Sequence, residues 1–199
     1  MSRVPADQRR EQLIEATIQL AVRKGLAEAS VRNIAEEANV SLGVVHYCFN
    51  SKEALLKAVA ESFVTPIIGP VSEAISAAEP GELVDALETA LQVFADVMMA
   101  DRGRQLLGYE LVAWSIRGEG DAAKSLHRAY LEVIDKYLKE GIGLKDGDLR
   151  FSLDDAPRMI LAWLDGVMLG WLVDGDDERC RRMLRDFASI LVTPTPTTA

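Results

Sequence analysis

Histidine and cysteine are scarce in this chain, and no stretch gathers the groups that most enzymes need. Its 199 residues include two His and two Cys. His46 and His127 are too few for a His-rich metal set, and neither H-E-x-x-H nor a phosphate-binding glycine loop occurs. The glycine pairs at 118/120 and 141/143 lack the strand context of a dinucleotide site. The paired acids Asp154-Asp155 and Asp176-Asp177 stand where helices start, and capping accounts for them. No catalytic residue, metal or cofactor is therefore expected. Cys48 and Cys180 lie far apart with no C-x-x-C pair, the usage of a reduced compartment rather than of a disulfide-stapled secreted domain. The opening "MSRVPADQRREQ" has no apolar run, so it does not read as a secretory signal. The longest apolar stretch, "MILAWLDGVMLGWLV", is interrupted by Asp165 and reads as too short to span a bilayer. A soluble, cytoplasmic protein with no membrane partner is the expectation.

What the chain does have is apolar bulk and an uneven charge. Hydrophobic residues make up 49%, enough for one large or two modest cores. The formal net charge is −9, yet residues 1–57 hold eight Lys/Arg against seven Asp/Glu. The other 14 basic and 24 acidic residues concentrate the deficit behind residue 57. Phosphate attraction depends on local charge, so the front segment can approach nucleic acid where the rear cannot.

Periodicity is helical throughout. Leu13, Ala16, Thr17, Leu20 and Ala21 form one apolar stripe of a helix from about Asp7 to Lys24, stopped by Gly25. Ser30 is an N-cap candidate for "VRNIAEEA", whose Val31, Ile34, Ala35 and Ala38 share a face. Asn39 suits a tight turn at positive φ. Ser41 is a second N-cap candidate, for a helix from Leu42 to about Cys48, and Ser51 a third, for "KEALLKAVAESF". Behind residue 65, breaks at Pro66, Gly69-Pro70, Pro80-Gly81, 118–120, "GIGLKDGDL" and 175–177 separate helical patterns near 82–100, 103–116, 121–140, 154–173 and 177–192. No segment alternates with period 2 for long enough to make a strand, so the fold class is all-α. The tail "TPTPTTA" reads as disordered.

Two short helices joined by a tight turn, with small Ala35 where they cross, satisfy the requirements of a helix-turn-helix. Val40, Val45 and Phe49 supply apolar contacts beneath. Ser41, Leu42, Gly43, Val44, His46 and Tyr47 form the outer face of the second helix. A helix in the major groove reads base edges with its N-terminal residues while other groups hold phosphates.

The run "SVRNIAEEANVSLGVVHYCFNSKEALL", preceded by an amphipathic helix, resembles the N-terminal domain of the tetracycline-repressor (TetR) family over about residues 8–60. That resemblance implies a homodimeric transcriptional repressor with a helix-turn-helix domain, here 1–52. A helical ligand-binding and dimerisation domain, here 53–192, would release DNA when a small-molecule effector binds. Position by position, Tyr47 and Lys52 match phosphate contacts. Leu42, Gly43 and Val44 match base-facing positions, where an apolar side chain can meet a thymine methyl. His46 stands where the family more often has Tyr, and Ser30 and Ser41 match backbone-side contacts. Arg3, Arg9 and Arg10 would supply an arm to phosphates or the minor groove. Cys48 departs from the family's usual His or Tyr, which removes one phosphate contact; it reads as a half-buried apolar filler.

The run "LAWLDGVMLGWLVDG" resembles the dimerisation helix of the betaine/choline-regulator branch. Ile160, Trp163, Leu164, Val167 and Trp171 make one stripe, and Gly166 and Gly170 permit a close crossing. On the last helix Cys180, Met183, Leu184, Phe187, Ala188 and Leu191 repeat the idea, opposite Arg179, Arg181, Arg182 and Arg185, which read as solvated. Two such helices from each of two chains would build a four-helix interface. Phe94, Met98, Tyr109, Glu110, Trp114, Tyr130 and Trp163 are the candidates for an effector pocket, and rings beside an acid suit a cationic ligand. An enzyme and a helical scaffold that has lost DNA binding are the rival classes. A log–log salt dependence of DNA binding separates the scaffold from the regulator.

Overall fold

The computed structural model describes residues 5–77, 83–118 and 120–192. Those residues form α-helices with no strand; a single antiparallel bridge pairs Leu149 with Val192. The helices are α1 (Ala6–Lys24), α2 (Val31–Glu37), α3 (Leu42–Cys48), α4 (Lys52–Glu61), α5 (Thr65–Ala77), α6 (Leu83–Met99), α7 (Arg102–Arg117), α8 (Asp121–Lys136), α9 (Ala156–Asp174) and α10 (Asp177–Leu191). The all-α expectation holds.

Two compact units arise. The first comprises Met1–Thr65 with Asp101–His127, and the second Pro66–Ala100 with Arg128–Ala199. In the first, the expected stripe of α1 is buried together with Ile34 and Ala35 of α2, Val45 and Phe49, and Leu55, Leu56, Val59 and Ala60 of α4. Ile18, off that stripe, is buried too, because α1 has a second neighbour in α7. At the α7 start a Cβ on Gly103 would stand 2.6 Å from Val22 Cγ1, so glycine allows the close approach to α1. Thr17 is fully buried, and its hydroxyl donates to Leu13 O at 2.7 Å.

The second unit packs α5, α6, α9 and α10 around Leu91, Ala95, Leu164, Met168, Leu184 and Leu191. Trp163 stacks on Phe187 with centroids 4.4 Å apart and planes 3° from parallel. Pro66 and Gly69-Pro70 were expected to break the chain, yet α5 runs through them. Pro66 lies in the first turn, where an N–H has no intrahelical partner to lose, and Pro70 forfeits one interior bond. Behind α8 the chain forms a π turn at Tyr137–Ile142 before Gly143 turns left-handed at φ 79°.

The expectation that no stretch could span a bilayer needs correction. Lys52–Ala77 and Ala156–Asp174 are long and apolar enough by length and composition, at mean hydropathy 1.4 and 1.3. About half of each window is buried within the protein (44% and 50%), which fits core helices. Of the arginines expected to be solvated, Arg179, Arg182 and Arg185 are exposed and Arg181 is half-buried, and two of the four are also ion-paired. Arg181 pairs with Asp96 at 2.6 Å, and Arg179 with Asp174 at 2.9 Å and Asp176 at 3.1 Å. Acids of α6 and of the turn before α10 lie within reach, which helical periodicity along α10 alone does not reveal.

Candidate nucleic-acid interface

The helix-turn-helix is assembled from its ends. Ser30 Oγ accepts from Asn33 N–H at 3.1 Å, which caps α2. The helix closes with Val40 N–H on Ala35 O at 2.9 Å and Asn39 N–H on Glu36 O at 3.1 Å, around Asn39 at φ 52°. This paired closure satisfies late carbonyls through one left-handed residue, the role the sequence suggested for Asn39. Ser41 differs from its expected part. It occupies the N-cap position of α3, but its hydroxyl makes no capping bond, because Val44 N–H already donates to the Ser41 carbonyl at 3.0 Å. Ser51 Oγ caps α4 through Ala54 N–H at 3.1 Å. The Glu53 carboxyl is held below its ordinary range by its own backbone N–H and by the Ser51 hydroxyl.

These caps give a paired prediction. Ser30→Ala should lower stability by about 1 kcal/mol, whereas Ser41→Ala should leave the urea midpoint unchanged. Comparable losses for both would contradict the bonding described.

The outer face of α3 is open. Tyr47 is 72% exposed and Leu42 47%, with Gly43 and His46 also exposed and Val44 half-buried. Lys52, half-buried, begins α4. Val45 and Phe49 anchor the opposite side in the core. Cys48 is half-buried, as a filler would be. Ala35, 4% exposed, sits under the crossing of α2 and α3. Arg3 lies outside the described residues. Arg9 and Arg10 are in place on α1, but both are engaged within the protein: Arg9 with Gln12, and Arg10 with the Cys48 carbonyl and the Phe49 ring.

Arg23 of α1 forks onto Glu37 of α2, at 2.7 and 3.1 Å, and its hydrogen bonds pull the Glu37 carboxyl below the ordinary range. A depressed carboxyl contributes stability above its unfolded pKa and loses it as pH falls through and below the usual carboxylate range. Glu37→Gln should therefore flatten the decline of melting temperature on acidification through about pH 5 to 3. A decline parallel to wild type would show that the pair carries no acid sensitivity.

The remaining sequence candidates separate. Tyr109, Glu110 and Trp114 lie half-buried on α7 in the first unit; Met98 is buried, and Phe94, Tyr130 and Trp163 half-buried, in the second. Trp114 lines a cleft of about 760 Å³ with Ser51, Glu53, Lys57, Arg117 and Asp121. Charges on its rim are already partnered, Lys57 with Glu61 at 3.2 Å and Asp121 with Lys124 at 3.6 Å. Trp163 Nε1 is buried and has no hydrogen-bond partner among the described residues. In the set assigned to a subunit interface, Ile160, Leu164, Val167, Trp171, Leu184, Phe187 and Leu191 are buried in the second unit's own core. Gly166, Gly170 and Met183 are exposed. The sequence reading missed the apolar groups those helices leave open: Met159, Leu169 and Val173 on α9 and Ile190 on α10.

Comparison with known proteins meets this geometry at the same place. Residues 13–59, which run from the core of α1 into α4, match the family model "Bacterial regulatory proteins, tetR family". The chain belongs to the tetR family. Among its curated relatives, the HTH-type nicotine-responsive transcriptional repressor HdnoR of Paenarthrobacter nicotinovorans is 27% identical over 179 residues, 89% of this chain and 90% of that protein. The HTH-type transcriptional regulator BetI of Ectopseudomonas mendocina is 27% identical over 194 residues, 92% of each chain. A solved structure of the multidrug binding protein EbrR with imidazole superposes with a TM-score of 0.71 at 24% identity, covering 94% of this chain and 97% of that one. The tetR-family fold thus extends through both units, and the chain is a tetR-family helix-turn-helix transcriptional regulator.

Proposed function

We propose that this tetR-family chain is a cytoplasmic, homodimeric repressor that reads a palindromic operator with α3 and lets go when a small organic molecule binds. The exposed face of α3 carries the reading. Tyr47 places a ring in solvent beside His46, Leu42 and Gly43, while the rest of the helix is fixed by Val45 and Phe49. An exposed aromatic next to a helix start bearing Lys52 suits a phosphate backbone, and the short apolar side chains at the front of α3 suit base edges. Ser30 and Ser41 flank that face with hydroxyls.

Self-association is assigned to α9 and α10, whose open faces carry Met159, Leu169, Val173, Met183 and Ile190 around the exposed Gly166 and Gly170. Single exposed apolar residues are ordinary on a surface; a line of them on two neighbouring helices asks for cover. For the effector, Phe94, Met98, Tyr130 and Trp163 supply rings and a thioether on the second unit, and Tyr109, Glu110 and Trp114 on the first are a separate candidate set with rings and an acid. The unclaimed Trp163 N–H adds a donor for a polar ligand. HdnoR responds to nicotine, and EbrR is a multidrug binding protein. Those relatives make an organic, cationic or aromatic effector the class to screen.

Selection of bound sequences from a random duplex pool tests the proposal. A palindrome with half-sites about one helical turn apart is expected. A folded protein that enriches nothing would overturn it.

A further inference from the structure

We infer that Arg10 and Gln12 of α1 are positioning residues, which hold the reading helix at its angle by closing the C-terminal ends of α2 and α3. The inference rests on α3 being the element that reads DNA, and it reassigns Arg10 from the phosphate-seeking arm to a contact within the motif.

Helices of seven residues, as α2 and α3 are, have few bonds of their own, so their neighbours set their direction. Their last carbonyls have no intrahelical donor and form the negative end of the helix. Gln12 Nε2 donates to Ala38 O, the C-cap carbonyl of α2, at 2.8 Å. Arg9 Nη1 donates to Gln12 Oε1 at 2.6 Å, which fixes which end of that amide faces the carbonyl. Arg10 Nη1 donates to Cys48 O, the last carbonyl of α3, and its guanidinium lies 4.1 Å from the centroid of the Phe49 ring. Phe49 is itself 3% exposed, so the stacked cation is keyed to a fixed surface. One turn of α1 thus supplies a donor to the end of each helix in the motif.

The planar fork matters in this arrangement. A guanidinium can donate to the carbonyl and stack on the ring at once, whereas a Lys ammonium is a point charge on a flexible stem. A phosphate contact, by contrast, tolerates Lys. The two roles therefore separate in Arg10→Lys, which keeps the charge and loses the geometry.

The experiment measures wild type, Arg10→Lys, Arg10→Ala and Gln12→Ala against the selected operator and a random duplex over a range of salt. Amide hydrogen exchange of α3 is followed in the free proteins. Positioning predicts that Arg10→Lys behaves like Arg10→Ala. Both should lose about tenfold or more of the operator-to-random preference, retain the wild-type salt slope, and exchange α3 amides faster than wild type. Gln12→Ala, which changes no charge, should follow in the same direction. If Arg10→Lys keeps the full preference, or if Arg10→Ala weakens both duplexes equally with the salt slope reduced by about one contact, Arg10 is a phosphate ligand and the inference fails. Unchanged α3 exchange in all three variants also overturns it, whatever the DNA result. Failure of wild type to distinguish the two duplexes would instead overturn the reading of α3, and the exchange data still decide the positioning.

Discussion

Tyr47→Ala and Lys52→Ala should each weaken operator binding by about 1.5–3 kcal/mol, roughly ten- to a hundredfold, the range of a hydrogen bond to a charged group. Neither change should cost stability. Tyr47 is 72% exposed and no part of the core depends on its ring. Lys52 opens α4, whose start is closed by Ser51 rather than by the ammonium. The two variants should differ in their salt dependence. Lys52→Ala removes a cation and should lower the log–log slope by about 0.9. Tyr47→Ala removes a neutral hydroxyl and ring and should leave the slope where it was. Titrations of both variants at several salt concentrations, beside a denaturation curve for each, check every part. Wild-type affinity in either variant at matched salt would remove that residue from the interface.

Residues 6–61 were legible because several local signals agree. The α1 stripe, the cap Ser30, the turn residue Asn39 and the small Ala35 each demand the same helix-turn-helix, and all appear in their expected roles. Ser41 was misread as a hydroxyl cap because residue type shows a donor's potential partner but not a backbone carbonyl that reaches it first. Arg9 and Arg10 were read by charge and reach, which a phosphate and a helix carbonyl satisfy equally. The course of α5 through Pro66 and Pro70 was hidden for a different reason. Proline weakens a helix locally, while Ile67, Val71 and Ile75 on one face give that helix a core to bury against. On α9 periodicity locates the most apolar side, and that side fills the chain's own core. The less apolar side, left open, becomes visible only when the packing is known.

That open side carries the second large effect. In the dimer proposed above, Leu169→Glu combined with Val173→Asp should release monomers and lower operator affinity by about two to four orders of magnitude. Val173 is 81% exposed and Leu169 50%, so neither substitution disturbs the protomer core and the melting of the isolated chain should change little. Burial against a partner reverses the account. Each large apolar side chain covered contributes about 1.5–3 kcal/mol, and a carboxylate in its place must give up its water on burial. In a two-fold interface each new charge also appears twice and faces its own copy. DNA affinity follows because a palindrome rewards two linked readers. Once one α3 is seated, the other binds at the high local concentration set by the dimer, and separate monomers forfeit that advantage. Sedimentation should report a particle near the chain mass of 21.8 kDa. Ile68→Glu, an exposed apolar position on α5, should keep both the dimer and the affinity. A double variant that stays dimeric would place the subunit contact on another face. A monomer that still bound the full operator as tightly as wild type would separate dimerisation from recognition altogether.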